Sequence, residues 1–481
     1  MGFSARFTNV IKSLYDKAHF SIKSGSQYTK SFDISEGILQ GDVLSPVLFS
    51  LFVADFESFL RGRGVTGAQL DRGDDVPCLF YADDLVLLNE SASGMRKVLG
   101  CLDEYCAINK LQVNSEKSKM VIFRKGGKTQ DYKFRCAGKE LELVSQFKYL
   151  GVVFSCSGKF SQQADAALKN GMAAASNVYP LINQAQSSSP KVWKTLFHAL
   201  SSATALYGSE VWGIFYCEMI DKLQTRFFKT LLHLPRNTPD AYVRAELGLV
   251  SLKLTILKRA LSWLAKVRAM DVSRFPSRCL ARMEELGRSN PSTLSTDWFS
   301  QLGKLAMEFK FESALSFAVP KKDLGKAFES IKSQLLEQDA ATVAISRFND
   351  RFNYLLVPGS ERSFLYSGMS LPLKRLISRI RVMGKKKTSL TFDKVRVYFD
   401  GDAPCSMCNT PDANDSFSHF FEACPIFRID RKRFFGEYVL GLEQALYWYG
   451  VVSDKEARKV AGFVNTAVKQ RALIENEGFL F

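Results

Sequence analysis

Apolar side chains near the start of the chain follow helical and then strand spacings. Helical spacing comes first, at Phe7, Ile11, Leu14 and Tyr15. A Gly-flanked turn then leads into one longer helix, whose apolar side consists of Leu48, Leu51, Phe52, Phe56 and Leu60. Two short apolar runs follow at residues 78–81 and 85–88. Because only Ala-Asp-Asp separates them, we expect a β-hairpin with acidic residues at its tip.

The strand signals end near residue 158. A helix near 94–109 and strands near 120–123 and 148–154 complete a mixed pattern, so residues 1–158 are predicted to be α+β. From 162 to 267 the apolar spacing is almost entirely helical, as at Ile220, Leu223, Phe227 and Leu231.

The remaining chain reads as helical and basic, with a small cysteine-rich stretch. The segment LKRLISRIRVMGKKK holds seven Lys/Arg and no acidic residue. With the stretches already described, the chain divides into five predicted parts. These are an α+β part (1–158), a helical part (159–270), a helical linker with the basic segment (271–398), the cysteine-rich module (399–433) and a helical tail (434–481).

The amino-acid composition indicates which class of partner the chain would bind. The 481 residues are enough for about three domains. Lys and Arg number 65 against 49 Asp and Glu, which gives a net charge of +16. Such an excess favours a polyanionic partner, either nucleic acid or an acidic membrane surface. No run is apolar enough for a membrane span, and no secretory leader is visible, so we expect an intracellular protein of the nucleus or cytoplasm without a membrane partner.

The acidic pair between the two apolar runs is the first candidate for chemistry. Asp83 and Asp84 are adjacent, and their mutual repulsion calls for a compensating charge. Hard carboxylate oxygens on rigid strands suit Mg²⁺, which keeps several waters and favours phosphate substrates. An ordinary exposed turn, in which Asp is common, is the alternative.

The surrounding motifs resemble those of a known family. GILQGDVLSP (37–46), YADD (81–84), LQVNSEKSK (111–119) and FKYLG (147–151) occur in the order of the later palm motifs of reverse transcriptases. The match is closest to non-LTR retrotransposons of the LINE type, and LYGSEVWG (206–213) is similar to their thumb. The layout is most similar to Jockey- and I-like families.

The resemblance implies a role for each motif. Gln40, Gly41 and Ser45 would contact template and nucleotide, with Gln40 and Gly41 beside the nascent base pair. Tyr81 would support the primer end, while Asp83 and Asp84 would hold Mg²⁺ and take part in catalysis.

Two further motifs have expected roles in the same reaction. Lys117 or Lys119 would meet the triphosphate or protonate the leaving pyrophosphate. For either lysine a solvated position on a turn is an equally good interpretation. Tyr149, Leu150 and Gly151 would form the primer grip, although the string alone indicates only the end of a buried strand.

The second candidate for chemistry lies near the C-terminus. Cys405, Cys408, His419 and Cys424 have C-x2-C-x10-H-x4-C spacing, which suits a tetrahedral zinc ion. Cysteines buried as small apolar residues are the alternative. Non-LTR elements carry a CCHC zinc knuckle after the thumb, so the resemblance implies the same.

The flanking basic stretches, 374–387 and 428–433, would bind phosphates. Phe417, Phe420 and Phe421 would either stack on bases or fill a small core, and the core is favoured for at least two of them.

Several parts of a complete polymerase are expected to be missing. The family has a third metal-binding carboxylate on a strand well before the QG motif, and neither Asp16 nor Asp33 matches it. The fingers and an endonuclease are not visible either. The expected fold is thus an incomplete reverse-transcriptase palm, an all-α thumb and linker, and a zinc knuckle.

Function follows from this expectation. The chain is expected to be a truncated RNA-directed DNA polymerase that takes part in target-primed reverse transcription, with an RNA template, a DNA primer and dNTPs as partners. Alone it is expected to be inactive. The alternative is a catalytically inactive nucleic-acid-binding protein derived from such an element.

Overall fold

The computed structural model forms two compact units. One consists of 1–120 with 127–144, and the other of 121–126 with 145–481. The structure describes residues 2–33, 37–39, 41–71, 73–127, 132–289, 297–315, 321–349, 351–355, 363–408, 410–451 and 453–477. Gln40 therefore lies outside the described residues. None of the described helices combines the length and apolar character that crossing a bilayer requires.

The first unit mixes short helices and strands, as predicted. Its helices are α1 (Ala5–Asp16), α2 (Ser45–Phe52), α3 (Phe56–Gly62) and α4 (Ala92–Ile108). Its strands are β1 (His19–Phe20), β2 (Lys23–Ser24), β3 (Gln27–Tyr28), β4 (Phe32–Asp33), β5 (Ala68–Asp71), β6 (Asp74–Val76), β7 (Cys78–Tyr81), β8 (Asp84–Leu87), β9 (Lys119–Met120), β10 (Arg135–Cys136), β11 (Lys139–Glu140) and β12 (Glu142–Leu143). Antiparallel pairs join β1 to β4, β2 to β3, β5 to β6, β7 to β8 and β10 to β11, whereas β9 and β12 are parallel.

The core of this unit lies where α3 meets α4. Phe56 packs edge-on against Tyr105 at 4.8 Å between ring centroids and against Phe80 of β7 at 5.6 Å. The single long helix predicted after Ser45 is wrong, because the chain turns at residues 53–55 between α2 and α3. Asp55 accepts a hydrogen bond from the Tyr105 hydroxyl at 2.6 Å. The break places Phe56 in the core and leaves Phe52 about half exposed.

The second unit is largely helical. Its helices are α5 (Ser161–Gln184), α6 (Pro190–Leu196), α7 (Ala203–Ala205), α8 (Ser209–Trp212), α9 (Cys217–Leu231), α10 (Asp240–Leu247), α11 (Lys253–Arg268), α12 (Phe275–Ser289), α13 (Trp298–Glu308), α14 (Lys321–Ile345), α15 (Phe352–Leu355), α16 (Ser363–Tyr366), α17 (Leu371–Arg381), α18 (Phe417–Glu422), α19 (Arg428–Phe435), α20 (Leu442–Tyr449) and α21 (Asp454–Glu477). Its strands are β13 (Gln146–Tyr149), β14 (Val152–Ser155), β15 (Lys387–Phe392), β16 (Val395–Pro404) and β17 (Asn414–Asp415).

The helical run predicted from 162 to 267 is confirmed, but two strand features differ from expectation. The stretch 148–154 is not one strand, because β13 turns back into β14. Residues 387–398, assigned above to a helical linker, form β15 and the start of β16 in a three-stranded antiparallel sheet ordered β15-β16-β17. The buried apolar residues of this unit form one cluster that extends from Ala164 to Val468.

Candidate active site and metal centre

The acidic pair lies at the tip of a tight hairpin, as the sequence predicts. Tyr81 pairs with Asp84 across β7 and β8, so that Ala82 and Asp83 form the two-residue loop. Ala82 has a φ of +52°, a left-handed conformation that is strained for a residue with a Cβ. Tyr81, Asp83 and Asp84 are all exposed. The strained turn therefore presents both carboxylates to solvent.

The base of this hairpin is held more firmly than its tip. Cys78 at the start of β7 is buried, and burial raises the pKa of its thiol to about 11. The amide of Leu88 donates to the Pro77 carbonyl at 2.9 Å, which closes the open end of the hairpin. Together with Phe80 against Phe56, these contacts give the exposed tip a fixed base.

The two carboxylates offer hard oxygen donors, the ligand type that Mg²⁺ prefers. Among the residues that the structure describes, no third metal-ligating side chain joins them; the one group of three or more His, Cys, Asp or Glu that could hold an ion lies near the C-terminus. The hairpin thus presents two carboxylate donors on one exposed turn.

The other nucleotide-site candidates of the first unit are held locally. Gly41 has a φ of +90° and no atom near its missing Cβ. The Ser45 hydroxyl donates to the Leu39 carbonyl at 2.5 Å, which ties the turn to the start of α2. Lys119 forms an ion pair with Glu142 at 2.8 Å. Lys117 is exposed. No hydrogen bond joins any of these side chains to the hairpin tip within the described part of the unit, so their roles at a nucleotide remain predictions.

The predicted primer-grip motif is a tight turn of the second unit. Leu150 and Gly151 both have positive φ, +46° and +82°, as a two-residue turn between β13 and β14 requires. Tyr207 donates its hydroxyl to the Leu150 carbonyl at 3.0 Å. A Cβ on Gly151 would lie 2.8 Å from Cε1 of the same ring. Glycine is therefore needed here for conformation and for space. Tyr149 is half-buried on β13, beside Phe154.

The C-terminal cysteines and histidine come together in space. One ligand atom from each of Cys405, Cys408, His419 and Cys424 lies within 4.8 Å of all the others. Zinc bonds of ~2.3 Å place tetrahedral sulfur ligands roughly 3.8 Å apart. Cys405 and Cys424 are buried, and the other two are half-buried. A donor set of three sulfurs and one imidazole in this arrangement fits a structural zinc ion.

The backbone around the four ligands is fixed by short hydrogen bonds. The amide of Cys405 donates to the Ala413 carbonyl at 2.7 Å, and the amide of Cys424 donates to the His419 carbonyl at 2.7 Å. Ser416 caps α18 by accepting from the amide of His419 at 3.1 Å. These contacts hold the ligands in place without help from their own side chains.

Hydrogen bonds link the ligand side chains. The hydrogen bond between Cys424 and Cys405 lowers the pKa of the Cys405 thiol and raises that of Cys424. Hydrogen bonds to Cys405 and Cys408 raise the pKa of His419 against the opposing effect of burial. Metal binding to such a set requires thiolates and a neutral imidazole, so it would release protons.

The cluster is embedded in a packed module. Phe417, Phe420 and Phe421 are at most 4% exposed, which confirms the expected core and excludes base stacking by these rings. Arg471 of α21 makes two hydrogen bonds of 2.7 Å to Asp415 of β17, and both residues are buried. The four residues therefore belong to a module whose core is continuous with the rest of the second unit.

Many cations of the two basic stretches are not available to bind phosphates, contrary to expectation. Lys374 is 1% exposed, and its ammonium donates to the carbonyls of Ser188 and Leu365. Arg381 is 4% exposed and paired with Glu246 at 2.7 Å. Arg431 is fully buried, and its guanidinium donates to three backbone carbonyls, those of Tyr438, Phe420 and Cys424. These side chains hold segments of the second unit together.

The hairpin of β15 and β16 carries basic residues that the motif search missed. Arg396 and Tyr398 alternate with buried Val397 and Phe399, so that one face points outward. The strict alternation in VRVYF is a strand signal that was present in the sequence. The all-helical interpretation of this region concealed it.

Comparison with known proteins agrees with the motifs. Residues 2–154 match the family "Reverse transcriptase (RNA-dependent DNA polymerase)". The chain is 24% identical to "Probable RNA-directed DNA polymerase from transposon BS" of Drosophila melanogaster over 59% of its length and 32% of that protein. It is 25% identical to a Nasonia vitripennis protein, "Retrovirus-related Pol polyprotein from type-1 retrotransposable element R2", over 56% and 25% of the two lengths.

A third relative fits the expected layout. "RNA-directed DNA polymerase from mobile element jockey" of Drosophila melanogaster is 24% identical over 46% of this chain and 24% of its own length. The chain spans a third or less of each of these relatives. The jockey-like layout is consistent with this match. Residues 2–154 thus match a reverse transcriptase domain, and the chain is similar to proteins named as RNA-directed DNA polymerases of non-LTR retrotransposons.

Proposed function

We propose that this chain is part of an RNA-directed DNA polymerase that copies retrotransposon RNA onto a DNA primer at its target. The observation that carries the proposal is the exposed Asp83–Asp84 pair on a firmly anchored hairpin inside the reverse transcriptase domain. RNA template, DNA primer and dNTPs are the proposed partners. The relatives named as RNA-directed DNA polymerases support this choice.

Asp83 and Asp84 are the proposed ligands of catalytic Mg²⁺. When bound, the metal would supply charge neutralisation and activation of the primer hydroxyl in phosphoryl transfer. The protein's part is to hold both carboxylates on a short turn with little freedom to move. Tyr81, 65% exposed beside the pair, is proposed to support the primer end. Gln40, Gly41, Ser45, Lys117 and Lys119 are proposed to position template and nucleotide, and residues 149–151 to hold the primer strand.

The partial metal site sets an expectation for activity. Full two-metal catalysis in this family needs a further carboxylate, and none joins Asp83 and Asp84 among the described residues. The purified chain alone is therefore expected to extend no primer on an RNA template. Asp83-dependent extension by this chain would show that its metal site is complete.

A positive test of the metal site uses iron-mediated cleavage. Fe²⁺ replaces Mg²⁺ on oxygen ligands, and with ascorbate and peroxide it cleaves the nearby backbone. We expect cleavage close to residue 83 that excess Mg²⁺ suppresses. Asp83→Asn with Asp84→Asn should abolish the cut, whereas Asp165→Asn, an exposed aspartate of α5, should keep it. A cut that persists in the double variant would contradict the proposed Mg²⁺ site.

We propose further that Cys405, Cys408, His419 and Cys424 hold one Zn²⁺ in the manner of a CCHC knuckle. The four converging ligand atoms support this. The ion would join the end of β16 to α18 and stabilise the module. Because these thiols must stay reduced to bind it, we place the protein in the nucleus or cytoplasm. Cobalt substitution tests the site, since tetrahedral thiolate coordination gives intense visible absorption, which Cys408→Ser should weaken or abolish.

The second candidate function is nucleic-acid binding without catalysis. The incomplete carboxylate set and the net charge of +16 favour it. Salt-sensitive RNA binding that survives Asp83→Ala, with no Asp83- and Asp84-dependent iron cleavage, would select this function. Iron cleavage at the hairpin that requires these aspartates and that Mg²⁺ suppresses would select the polymerase part.

A further inference from the structure

Two arginines from distant elements meet at one serine of the second unit. Arg379 of α17 donates to the Ser389 carbonyl of β15 at 2.7 Å. Arg396 of β16 donates to the hydroxyl of the same serine at 3.2 Å. The two guanidinium groups are therefore neighbours, and the positive charge of Arg396 adds to burial in lowering the pKa of Arg379.

A further arginine lies along the same face. Arg375 precedes Arg379 by one helical turn, and it donates to the Leu231 carbonyl at 2.7 Å and to Asn183 at 2.9 Å. His233 lies two residues beyond Leu231. Burial lowers the pKa of His233, and the charges of Arg375 and Arg379 lower it further, which favours the neutral imidazole. The positive charge of this face therefore comes from arginines of α17 and β16.

Within the described residues, no carboxylate lies at ion-pair distance from Arg375, Arg379 or Arg396. Two buried arginines of the same unit differ, since Arg381 is paired with Glu246 and Arg471 with Asp415. The Nε of Arg379 is also buried and has no hydrogen-bond partner in the described structure. Gathering like charges and leaving a buried donor unused both cost free energy, which a bound anion would offset.

An exposed aromatic ring lies beside these arginines. Tyr398 is 60% exposed on the outer face of β16, and the Arg396 guanidinium lies over its ring at 4.9 Å. Arginine forks match phosphate oxygens, and an exposed ring beside them offers a platform on which a base can stack. Single-stranded nucleic acid combines both chemistries within one nucleotide.

We propose that Arg375, Arg379 and Arg396 bind a backbone phosphate of single-stranded RNA, with Tyr398 stacking on an adjacent base. The choice of RNA rests on the proposed function; the anion site rests on the geometry alone.

The test uses the full chain and a fluorescein-labelled single-stranded RNA of about 20 nucleotides, followed by anisotropy over a series of salt concentrations. Removing the contacts to one phosphate of a single strand lowers the log–log salt slope by about 0.7, which is roughly 5-fold in affinity at 0.1 M salt. We expect this loss for Arg379→Gln with Arg396→Gln. Tyr398→Ala should weaken binding by about 5- to 100-fold with the slope unchanged.

The matched control is Arg282→Gln with Arg458→Gln, which removes the same charge from two arginines already paired with Glu285 and Asp454. We expect the control to keep nearly the original affinity. If the double variant does not fold, Arg396→Gln alone replaces it in the test, because Arg396 is exposed. Arg396→Lys keeps the positive charge, so we expect it to bind RNA more tightly than Arg396→Gln does. An equal salt slope for the Arg379/Arg396 double variant and the control would overturn the proposal.

A second measurement separates this site from the proposed function. Pyrophosphate should raise the Tm of the original chain and of the control, but not that of the Arg379/Arg396 variant. If the original chain binds no RNA and this pattern holds, RNA is wrong as the partner and the site takes a free phosphate ligand. If pyrophosphate raises the Tm of all three proteins equally or of none, and the double variant and the control have equal salt slopes of RNA binding, no anion site exists.

Discussion

The two units of this protein hold their candidate chemistry in opposite ways. In the first, the Asp83–Asp84 pair is exposed on a hairpin, and α1 has no buried residue. In the second, the Cys/His cluster lies in a module whose rings, arginines and carboxylates are buried together. Ligands that must receive a substrate need solvent access, whereas a structural metal site is closed by its own protein ligands. Exposure therefore distinguishes the proposed site for reaction from the proposed site for stability.

The largest expected effect comes from opening the Cys/His cluster. Cys424→Ala removes a fully buried ligand, and structural zinc contributes on the order of 10 kcal/mol to the folding of small zinc modules. We expect loss of about one zinc ion per chain and protease sensitivity between β16 and α19. Metal analysis with limited proteolysis measures both, and a strong chelator should reproduce the result. Cys279→Ala, which changes a half-buried cysteine outside the cluster, should retain the zinc. Full zinc content in the Cys424 variant would contradict the proposed ligand set.

The next largest effect is expected from replacing an aspartate by asparagine, a change that can be compared between the two units. Asp415→Asn removes the buried partner of Arg471, and breaking a buried ion pair typically costs about 3–5 kcal/mol. Glu475 also pairs with Arg471, so the lower end of that range is expected. Hydrogen exchange of the β16 and β17 amides measures the loss. Asp84→Asn at the exposed tip should leave exchange in its own unit unchanged. A similar loss at both positions would remove the distinction between the two sites.

The smallest effect compares two glycines. Gly151→Ala puts a Cβ in a left-handed turn and against Tyr207, so we expect a loss of about 1–2 kcal/mol in the local stability of β13 and β14. Gly100→Ala lies in α4 with open space around it, and should stabilise that helix by roughly 0.5–1 kcal/mol. Hydrogen exchange at each position gives both values. If both substitutions changed the local stability in the same direction, the tight packing around Gly151 would have no energetic role.

Features encoded by neighbouring residues were predictable. Two apolar runs around Ala-Asp-Asp define a hairpin by themselves, because the pairing partners are only a few residues apart. The apolar spacing from 162 to 267 likewise gave the correct type of secondary structure, although it did not give the bounds of the separate helices. The interruption between α2 and α3 was missed because its cause is Tyr105, which lies 50 residues beyond Asp55.

The basic segments show where such reasoning stops. A row of Lys and Arg looks the same in sequence whether its charges face solvent, carbonyls or carboxylates. Arg381 is paired with a glutamate 135 residues away, and Lys374 donates to a carbonyl 186 residues away. No local pattern contains those partners.

The sequence by itself determined the resemblance to reverse transcriptases, the acidic hairpin tip and the candidate set of Cys and His ligands, because each depends on residue types at short spacings. Only the tertiary structure decided which cations stabilise the fold and which gather beside Ser389 with no acidic partner among the described residues. The free energy of a charge is set by the groups around it in space, and here those groups come from distant parts of the chain.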